Sequence, residues 1–413
     1  MNSKYNVNFI FNEFFGYVIA ILLILNCRTV WIHQYAVGNY FNIATSLLLI
    51  LSSAMYVLTL RKIYIKRLFR WLSVSLFLFF YLLIWIVMTN YNVFWAVISS
   101  VSLISILAVV INSDNSQIIS LLMKVKRVIL LIILISIPFW VMGSFFNIIS
   151  FTSLTRTNWL GTDSLSYFKS YYGIYFETQS IDFFGVHLVR NSAIFTEGPM
   201  AGLVFCIGLA ISAFFSKKRS IFEILVFATG IFTTFSTNAY IVLLIVFSYF
   251  VYFSKNNNRF ITVLKYALIP VIFLIIIFIT FTLLKSRLNT NSGSIRLDDF
   301  SVGFKTWLQQ PYFGYGYNNN LVLSQNMGSW RAFNLGFSNS ITQVLAQGGI
   351  MIFAIYVVPF LKGFSSYLKA RKWNYFFFEL ILLYLFIAIS FPYQYILFLL
   401  LAFIYYSTTE FKQ

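Results

Sequence analysis

The chain has 413 residues, of which 60% are hydrophobic and only 10% are charged, and its mean hydropathy is +0.83. Soluble domains carry about 25% charged residues, so this composition excludes a soluble enzyme and predicts a membrane protein. The net charge of +18 is therefore assigned to the loops between membrane spans and does not indicate a nucleic-acid partner. The two cysteines, Cys27 and Cys206, exclude a disulfide framework, and the sequence has no glycine-rich loop of the P-loop type.

Apolar runs of about 20 residues, each long enough to cross a bilayer as a helix, recur along the whole chain. They predict an all-α polytopic integral membrane protein with about twelve transmembrane helices in a single membrane domain, 1–413. The first run extends toward His33 and lacks a small-residue cleavage site, so we expect an uncleaved first helix. The predicted spans are 9–26, 41–60, 71–89, 92–111, 128–150, 199–215, 221–235, 238–254, 266–284, 341–361, 376–391 and 393–406.

Basic residues cluster in alternate loops between these spans. Loops with many Lys and Arg residues face the cytoplasm, so this alternation predicts that both termini are cytoplasmic in a multi-pass protein of the inner or plasma membrane. Two long loops, 151–195 and 285–338, then lie outside the cytoplasm as large extracytoplasmic loops. The basic clusters are 61–70, 124–127, 217–219, 255–265 and 362–372.

The polar segment 294–317 predicts an amphipathic helix within the second long loop. Ser294 is a suitable N-cap, and a proline at position 311 ends the helical pattern. Arg296 falls on the apolar face, where an unpaired charge would be costly, so it needs a partner. That partner is either Asp299 or an anionic ligand. The apolar face consists of Phe300, Phe304, Trp307 and Leu308.

The segment 190–202 predicts a helix that begins at the outer membrane face. Thr196 can cap this helix and Pro199 suits its first turn. Free N–H groups, the helix dipole and the nearby Arg190 together favour an anion such as a diphosphate. Glu197 in the same turn either satisfies the helix N-terminus, pairs with Arg190, or serves as a base or hydrogen-bond acceptor for substrate.

Four segments of the chain resemble motifs of bacterial polysaccharide polymerases of the Wzy type, in the O-antigen ligase and polymerase superfamily. Residues 190–202 resemble the pattern R-x-x-G-x-F-x-E-P-G, and 234–241 resemble a T-x-S-x-x-A/G-Y-I helix start. Residues 294–319 resemble the R…P-x-x-G-x-G segment of the large outer loop, and 338–350 resemble the helix H-N-x-x-L-x-x-L-A-E-x-G-I. The order of the motifs and the hydropathy plan also agree with this family.

Four features depart from the family patterns, and the first is Gly198-Pro199, where the family has Pro-Gly. Ala193 stands where the first pattern has glycine, and Ser338 stands where ligase-like members have a histidine. The arginine-x10-glycine spacing of some polymerases is also absent, because Ala201 lies eleven positions after Arg190. The missing histidine favours a polymerase over a ligase but leaves the general base unidentified.

The resemblance implies a membrane glycosyltransferase that polymerises undecaprenyl-diphosphate-linked oligosaccharide repeats at the outer membrane face, for capsule, O-antigen or exopolysaccharide synthesis. Arginines would stabilise the leaving diphosphate and a carboxylate would accept the proton of the attacking hydroxyl. The expected catalytic residues are Glu197, Asp299, Arg190 and Arg296, with Arg287, Lys305, Tyr315 and Asn339 as further substrate-binding residues and His187 as a remoter candidate base.

No cofactor and no metal is expected, because arginines can neutralise the diphosphate, although Asp298 and Asp299 together keep a metal open. Besides the bilayer and the lipid-linked substrate, a flippase and a chain-length regulator are possible partners. One alternative is a ligase that moves a finished glycan. Another is a lipid-glycan flippase or transporter, whose unusual residues should instead concentrate near the membrane midplane.

Overall fold

The computed structural model describes residues 3–60, 64–158, 166–183, 186–218, 220–253, 291–331 and 336–410. Within these ranges, seven helices are long and apolar enough to cross a membrane, and four shorter apolar helices accompany them. This confirms the predicted all-α polytopic membrane fold, while the predicted span 266–284 lies outside the described residues. The helices are α1 (Ser3–Leu25), α2 (Gly38–Leu58), α3 (Ile65–Thr89), α4 (Val93–Asn112), α5 (Asn115–Phe139), α6 (Gly198–Phe215), α7 (Ile221–Thr233), α8 (Thr237–Phe253), α9 (Asn291–Gln309), α10 (Asn320–Gln325), α11 (Ser340–Lys369), α12 (Trp373–Ala388) and α13 (Tyr395–Glu410).

Several helix ends differ from the predicted spans. The first helix ends at Leu25, well before His33, because the chain turns there and Arg28 adopts a positive φ of 50°. Helix α5 begins at Asn115, where the side chain of Asp114 and the side chain of Gln117 form a capping box. The basic cluster 124–127 therefore lies inside α5 and does not form a loop before it.

Two lysines of that cluster are buried in ion pairs that the hydropathy pattern did not reveal. The Lys124 ammonium lies 2.9 Å from a carboxylate oxygen of Glu13 on α1, and Lys126 lies 2.6 Å from Glu223 on α7. Because each carboxylate compensates a charge that would otherwise be buried alone, these pairs fix α5 against both neighbouring helices.

The first long loop contains β-structure, which its sequence did not predict. A three-stranded antiparallel sheet has the order β1 (Ser153–Thr157), β2 (Ser166–Tyr171) and β3 (Tyr175–Glu177). A separate hairpin joins β4 (Ser180–Phe183) to β5 (Val186–Val189). We call the end of the bundle that carries these strands the sheet face, and the opposite end, where α3 begins and α6 ends, the basic face.

Helix α6 is the centre of the bundle. It packs against α5, α7, α8 and α12, and nearly all of its side chains are buried. Small residues allow the close packing: a Cβ at Gly202 would lie 3.1 Å from Ala239, and one at Gly208 would lie 2.5 Å from the ring of Phe227. Because α6 is central, its N-terminus places Glu197 in the middle of the sheet face.

Helix α9 exposes the face that was expected to be buried. It begins at Asn291 rather than after Ser294, and Phe300, Phe304 and Leu308 are exposed. The buried face instead holds Asp299, Val302, Gly303 and Thr306. Two polar contacts hold this face inward, because Asp299 pairs with Arg331 and the Thr306 hydroxyl accepts from Asn326. The lack of a side chain at Gly303 also lets α9 approach Thr342 of α11.

The P-x-x-G-x-G segment wraps around a kink in α11. The amide of Tyr315 donates to Ala346 O at 3.1 Å, and that of Gly316 donates to Gln347 O at 2.8 Å. Gly314 and Gly349 both have positive φ, of 66° and 60°, at the point of closest approach. A Cβ on Gly349 would lie 2.3 Å from Tyr312 O, so glycine is required there by both backbone angle and space.

Candidate functional site

The N-terminus of α6 carries Glu197 as its N-cap residue. Its side chain makes no cap hydrogen bond, and one carboxylate oxygen instead accepts from the Arg28 guanidinium at 3.3 Å. Both side chains are about one-fifth exposed, at 18% and 20%. The predicted position of Pro199 in the first turn is correct, whereas Thr196 lies one residue before the cap. The carboxylate thus faces an arginine from the turn after α1 that the sequence had not indicated.

Arg190 lies behind this pair and is almost fully buried. Its guanidinium donates to Phe235 O at 3.1 Å and to the side chain of Gln179 at 3.5 Å. Its Nε has no hydrogen-bond partner within the described part of the chain. Burial lowers the pKa of Arg190, Glu197 raises it, and the charge of Arg296 lowers it further. Arg190 is therefore within electrostatic reach of both Glu197 and Arg296.

Arg296 reaches the same region from α9. Its guanidinium donates to the Asn238 side-chain oxygen at 3.3 Å, at the start of α8. Asn238 in turn donates to Ala388 O at 2.9 Å and accepts from the Tyr384 hydroxyl at 3.4 Å. The partner of Arg296 in the structure is therefore an amide, and its charge is not neutralised by Asp299.

Asp299 has a different role from the predicted one. Its carboxylate is fully buried and lies 2.6 Å from the Arg331 guanidinium, while its other oxygen accepts from the Ser338 amide and hydroxyl at 2.9 and 2.5 Å. Burial raises the pKa of Asp299 although Ser338 and Arg331 lower it. The contacts tie α9 to the segment that precedes α11, so Asp299 does not orient Arg296.

The turn after α12 joins the elements of the site, and sequence reasoning missed it. Arg28 donates to the Ser390 hydroxyl at 3.1 Å, and Ser390 donates to the side chain of Gln343 on α11. The hydroxyl of Ser340 donates to Ile389 O at 2.7 Å and accepts from the Phe391 amide at 2.9 Å. These contacts connect the N-termini of α6, α8 and α11 in one polar region. In the sequence, the FPYQY segment was visible only as an interruption between two apolar runs, and nothing indicated its contacts with the site.

The remaining predicted residues are spread around this region. Asn339 is the N-cap of α11 and accepts from the Thr342 amide at 2.9 Å. The Tyr315 hydroxyl donates to Gln309 at the end of α9, and Lys305 is exposed. His187 is 68% exposed on the β4–β5 hairpin and bonds Asp182. Arg287 lies outside the described residues.

Three arginines and one carboxylate give this region an excess of positive charge. Arg28 pairs with Glu197, Arg190 interacts electrostatically with Glu197 and with Arg296, and burial lowers the pKa of Arg28 as well. Helix N-termini carry a partial positive charge, and the contacts described above join the N-termini of α6, α8 and α11. Buried polar atoms without a partner in the described ranges add further hydrogen-bonding capacity: Thr196 Oγ1, Thr237 Oγ1 and Asn339 Nδ2.

A family model matches part of the chain. The family model described as O-antigen ligase matches residues 222–357. This match supports the O-antigen ligase and polymerase superfamily. It covers about a third of the chain, from α7 through the kinked part of α11, and therefore three of the four motifs noted above. It does not include the segment 190–202.

The family match bears on the general activity but not on the exact reaction. It supports a membrane enzyme that transfers glycans, and a lipid-linked glycan is a plausible substrate for such an enzyme. It does not distinguish a polymerase from a ligase. A search among curated proteins found no match.

Proposed function

We propose that the protein polymerises undecaprenyl-diphosphate-linked oligosaccharide repeats, in capsule, O-antigen or exopolysaccharide synthesis. The observation that carries the proposal is the convergence of Arg28, Arg190 and Arg296 on the helix N-termini beside Glu197. A diphosphate is a dianionic group that guanidinium forks bind in two-point fashion. By the positive-inside bias, the site would face the outside of the cell.

The proposed reaction is a direct transfer of the growing glycan. The bond between the anomeric carbon and the diphosphate oxygen breaks, and the hydroxyl of the terminal sugar on a second lipid-linked repeat forms the new bond to that carbon. The leaving diphosphate gains negative charge, which the arginines and helix N-termini stabilise. The proton of the hydroxyl passes to Glu197. No step needs a metal, since the arginines provide the positive charge.

In this proposal, Glu197 exchanges its partner during the reaction. Its carboxylate is paired with the Arg28 guanidinium at 3.3 Å. A bound diphosphate competes for the same guanidinium, because Arg28 is close to both the α6 N-terminus and Ser390. Substrate binding would thereby release the Glu197 carboxylate to accept the hydroxyl proton.

A ligase is the second candidate, because the matching family model carries that description. Such an enzyme would transfer the finished glycan to an acceptor that is not a lipid-linked repeat. Because residue 338 is a serine, the chain lacks the histidine base of the ligase type at this position. The Ser338 hydroxyl is already committed to Asp299, so the serine does not replace that histidine as a base.

Purified full-length protein in liposomes separates the candidates. With a lipid-linked repeat as the only substrate, a polymerase produces a ladder of lipid-linked products that lengthen by whole repeats. A ligase leaves the repeat length unchanged and transfers glycan only when a second type of acceptor is added. A flippase moves the repeat across the bilayer without transfer. Only the ladder supports our proposal, and either of the other results contradicts it.

A further inference from the structure

A groove of about 1320 Å³ runs along the bundle between α3, α4, α11 and α13, and none of Arg28, Arg190, Glu197 and Arg296 lines it. Its walls are mostly aliphatic and aromatic side chains. It extends from Tyr64 at the start of α3 to Trp85 near the other end. At 1.5 Å per residue, the part from Tyr64 to Tyr81 alone is about 25 Å long, which exceeds the about 15 Å of acyl chain in one leaflet.

Two hydrogen bonds join α3 to its neighbours near the sheet-face end of the groove. The Tyr81 hydroxyl donates to Met351 O at 2.7 Å, and the Trp85 indole donates to Phe313 O at 2.8 Å. Because these bonds hold α3 against α11 and against the loop around its kink, we expect a ligand to enter from the side or from the basic face.

The basic face of the groove carries a cluster of cations. Lys66, Arg67 and Arg70 come from the first turns of α3, and Lys362 comes from α11. Arg67 pairs with Asp114 at 2.7 Å, and Lys362 lies over the ring of Tyr405. Lys66 and Arg70 are exposed and form no ion pair with any described acidic residue. An apolar cavity with a cationic mouth matches a lipid with an anionic headgroup.

We propose that this groove binds an anionic phospholipid of the leaflet at the basic face. Its phosphate would lie between Lys66, Arg70 and Lys362, and an acyl chain would fill the groove toward Tyr81. By the positive-inside bias, this leaflet is the cytoplasmic one, which is also the anionic one. The site is at the opposite end of the bundle from Arg190 and Glu197, so the inference does not depend on the proposed reaction.

Native mass spectrometry of the full-length protein in detergent tests the proposal with two probes of identical acyl chains, phosphatidylglycerol and phosphatidylcholine. We expect preferential binding of phosphatidylglycerol. The double variant Lys66→Gln/Arg70→Gln should weaken that binding about thirty-fold, from the usual contribution of a cation beside an anionic lipid. The matched control is Lys217→Gln/Lys218→Gln, which removes two exposed cations of the same face that do not line the groove.

Three results would overturn the proposal. They are equal binding of both phospholipids, equal weakening in both double variants, and displacement of phosphatidylglycerol by a polyprenyl phosphate that binds more tightly. If the first double variant does not fold, Ala354→Trp provides the test, because it narrows the groove and keeps every charge. This variant must lose bound phosphatidylglycerol, and retention at the wild-type level contradicts the assignment.

Discussion

The Arg28 guanidinium donates to the Glu197 carboxylate at 3.3 Å across 169 residues of sequence. Arg28 follows the first helix, whereas Glu197 caps the helix at the centre of the bundle. Arg28 also reaches Ser390 in the turn after α12. One guanidinium therefore connects the beginning, the middle and the end of the chain at the candidate site.

Arg28→Ala should reduce polymer synthesis by about 10²–10³, the usual loss when one donor to a developing anion is removed. Arg28→Lys should also be impaired, because an ammonium cannot bond Glu197 and Ser390 in the geometry of the planar fork. The measurement is product formation in liposomes at equal protein. Arg156→Ala is the control, since Arg156 is exposed at the sheet face and stacks on Tyr35. An equal loss of polymer synthesis in this control would show that Arg28 has no specific role in the reaction.

Arg190→Lys and Arg296→Lys should each lose most of the activity while the protein still inserts and folds. In the proposed site each guanidinium binds the diphosphate at two points, which lysine cannot do. Binding of a non-hydrolysable diphosphate lipid, measured alongside elongation, should weaken in parallel. Near-normal elongation by either lysine variant would exclude that residue from the diphosphate site.

Gly349→Ala should destabilise the protein by about 2–4 kcal/mol. The residue has a φ of 60°, and its new Cβ would lie 2.3 Å from Tyr312 O, so strain and overpacking add. Gly173→Ala is the matched control, because Gly173 has a φ of 71° and open space around it; it should cost about 1 kcal/mol. Thermal unfolding in detergent compares them, and equal losses of stability would contradict the close-packing explanation.

Asp299→Ala should destabilise the fold by about 1–3 kcal/mol, because it removes the buried acceptor of the Ser338 amide and hydroxyl and leaves Arg331 with Asp298 as its carboxylate partner. The side chains of Asp299 and Arg331 are fully buried. The control is Asp182→Ala on the β4–β5 hairpin, where the aspartate is 83% exposed and its loss should change stability little. Normal thermal stability of Asp299→Ala would show that the ion pair does not hold α9 in place.

Local sequence patterns predicted most of the membrane helices and some residues of the candidate site. Apolar run length gave the helices, and the segment 190–202 gave Arg190, Glu197 and the start of α6. The sequence also predicted that Arg296 points inward, and the structure places it beside Asn238, but the prediction assigned the buried side of α9 to the wrong face. A helical wheel ranks faces by hydrophobicity, and it could not show that an ion pair between Asp299 and Arg331 would bury the polar face instead.

The rest of the site depends on contacts that local patterns do not contain. Arg28 lies 362 residues from Ser390, and nothing in either neighbourhood indicates the other. The burial of Lys124 and Lys126 was missed for a related reason, since their partners are on α1 and α7. Such contacts arise from the packing of distant helices.

Glu197→Gln tests the central claim most directly, because it keeps the shape of the side chain and removes its ability to accept a proton. We predict that elongation of a lipid-linked repeat in liposomes slows by about 10²–10⁴, while the lipid-linked substrate still binds. Glu177→Gln is the control, because it changes the contacts of Glu177 with Lys169 and with the Tyr171 hydroxyl on the small sheet, and it should elongate at close to the wild-type rate. If Glu197→Gln elongates normally and His187→Ala does not, Glu197 is not the base and the account of this site is wrong.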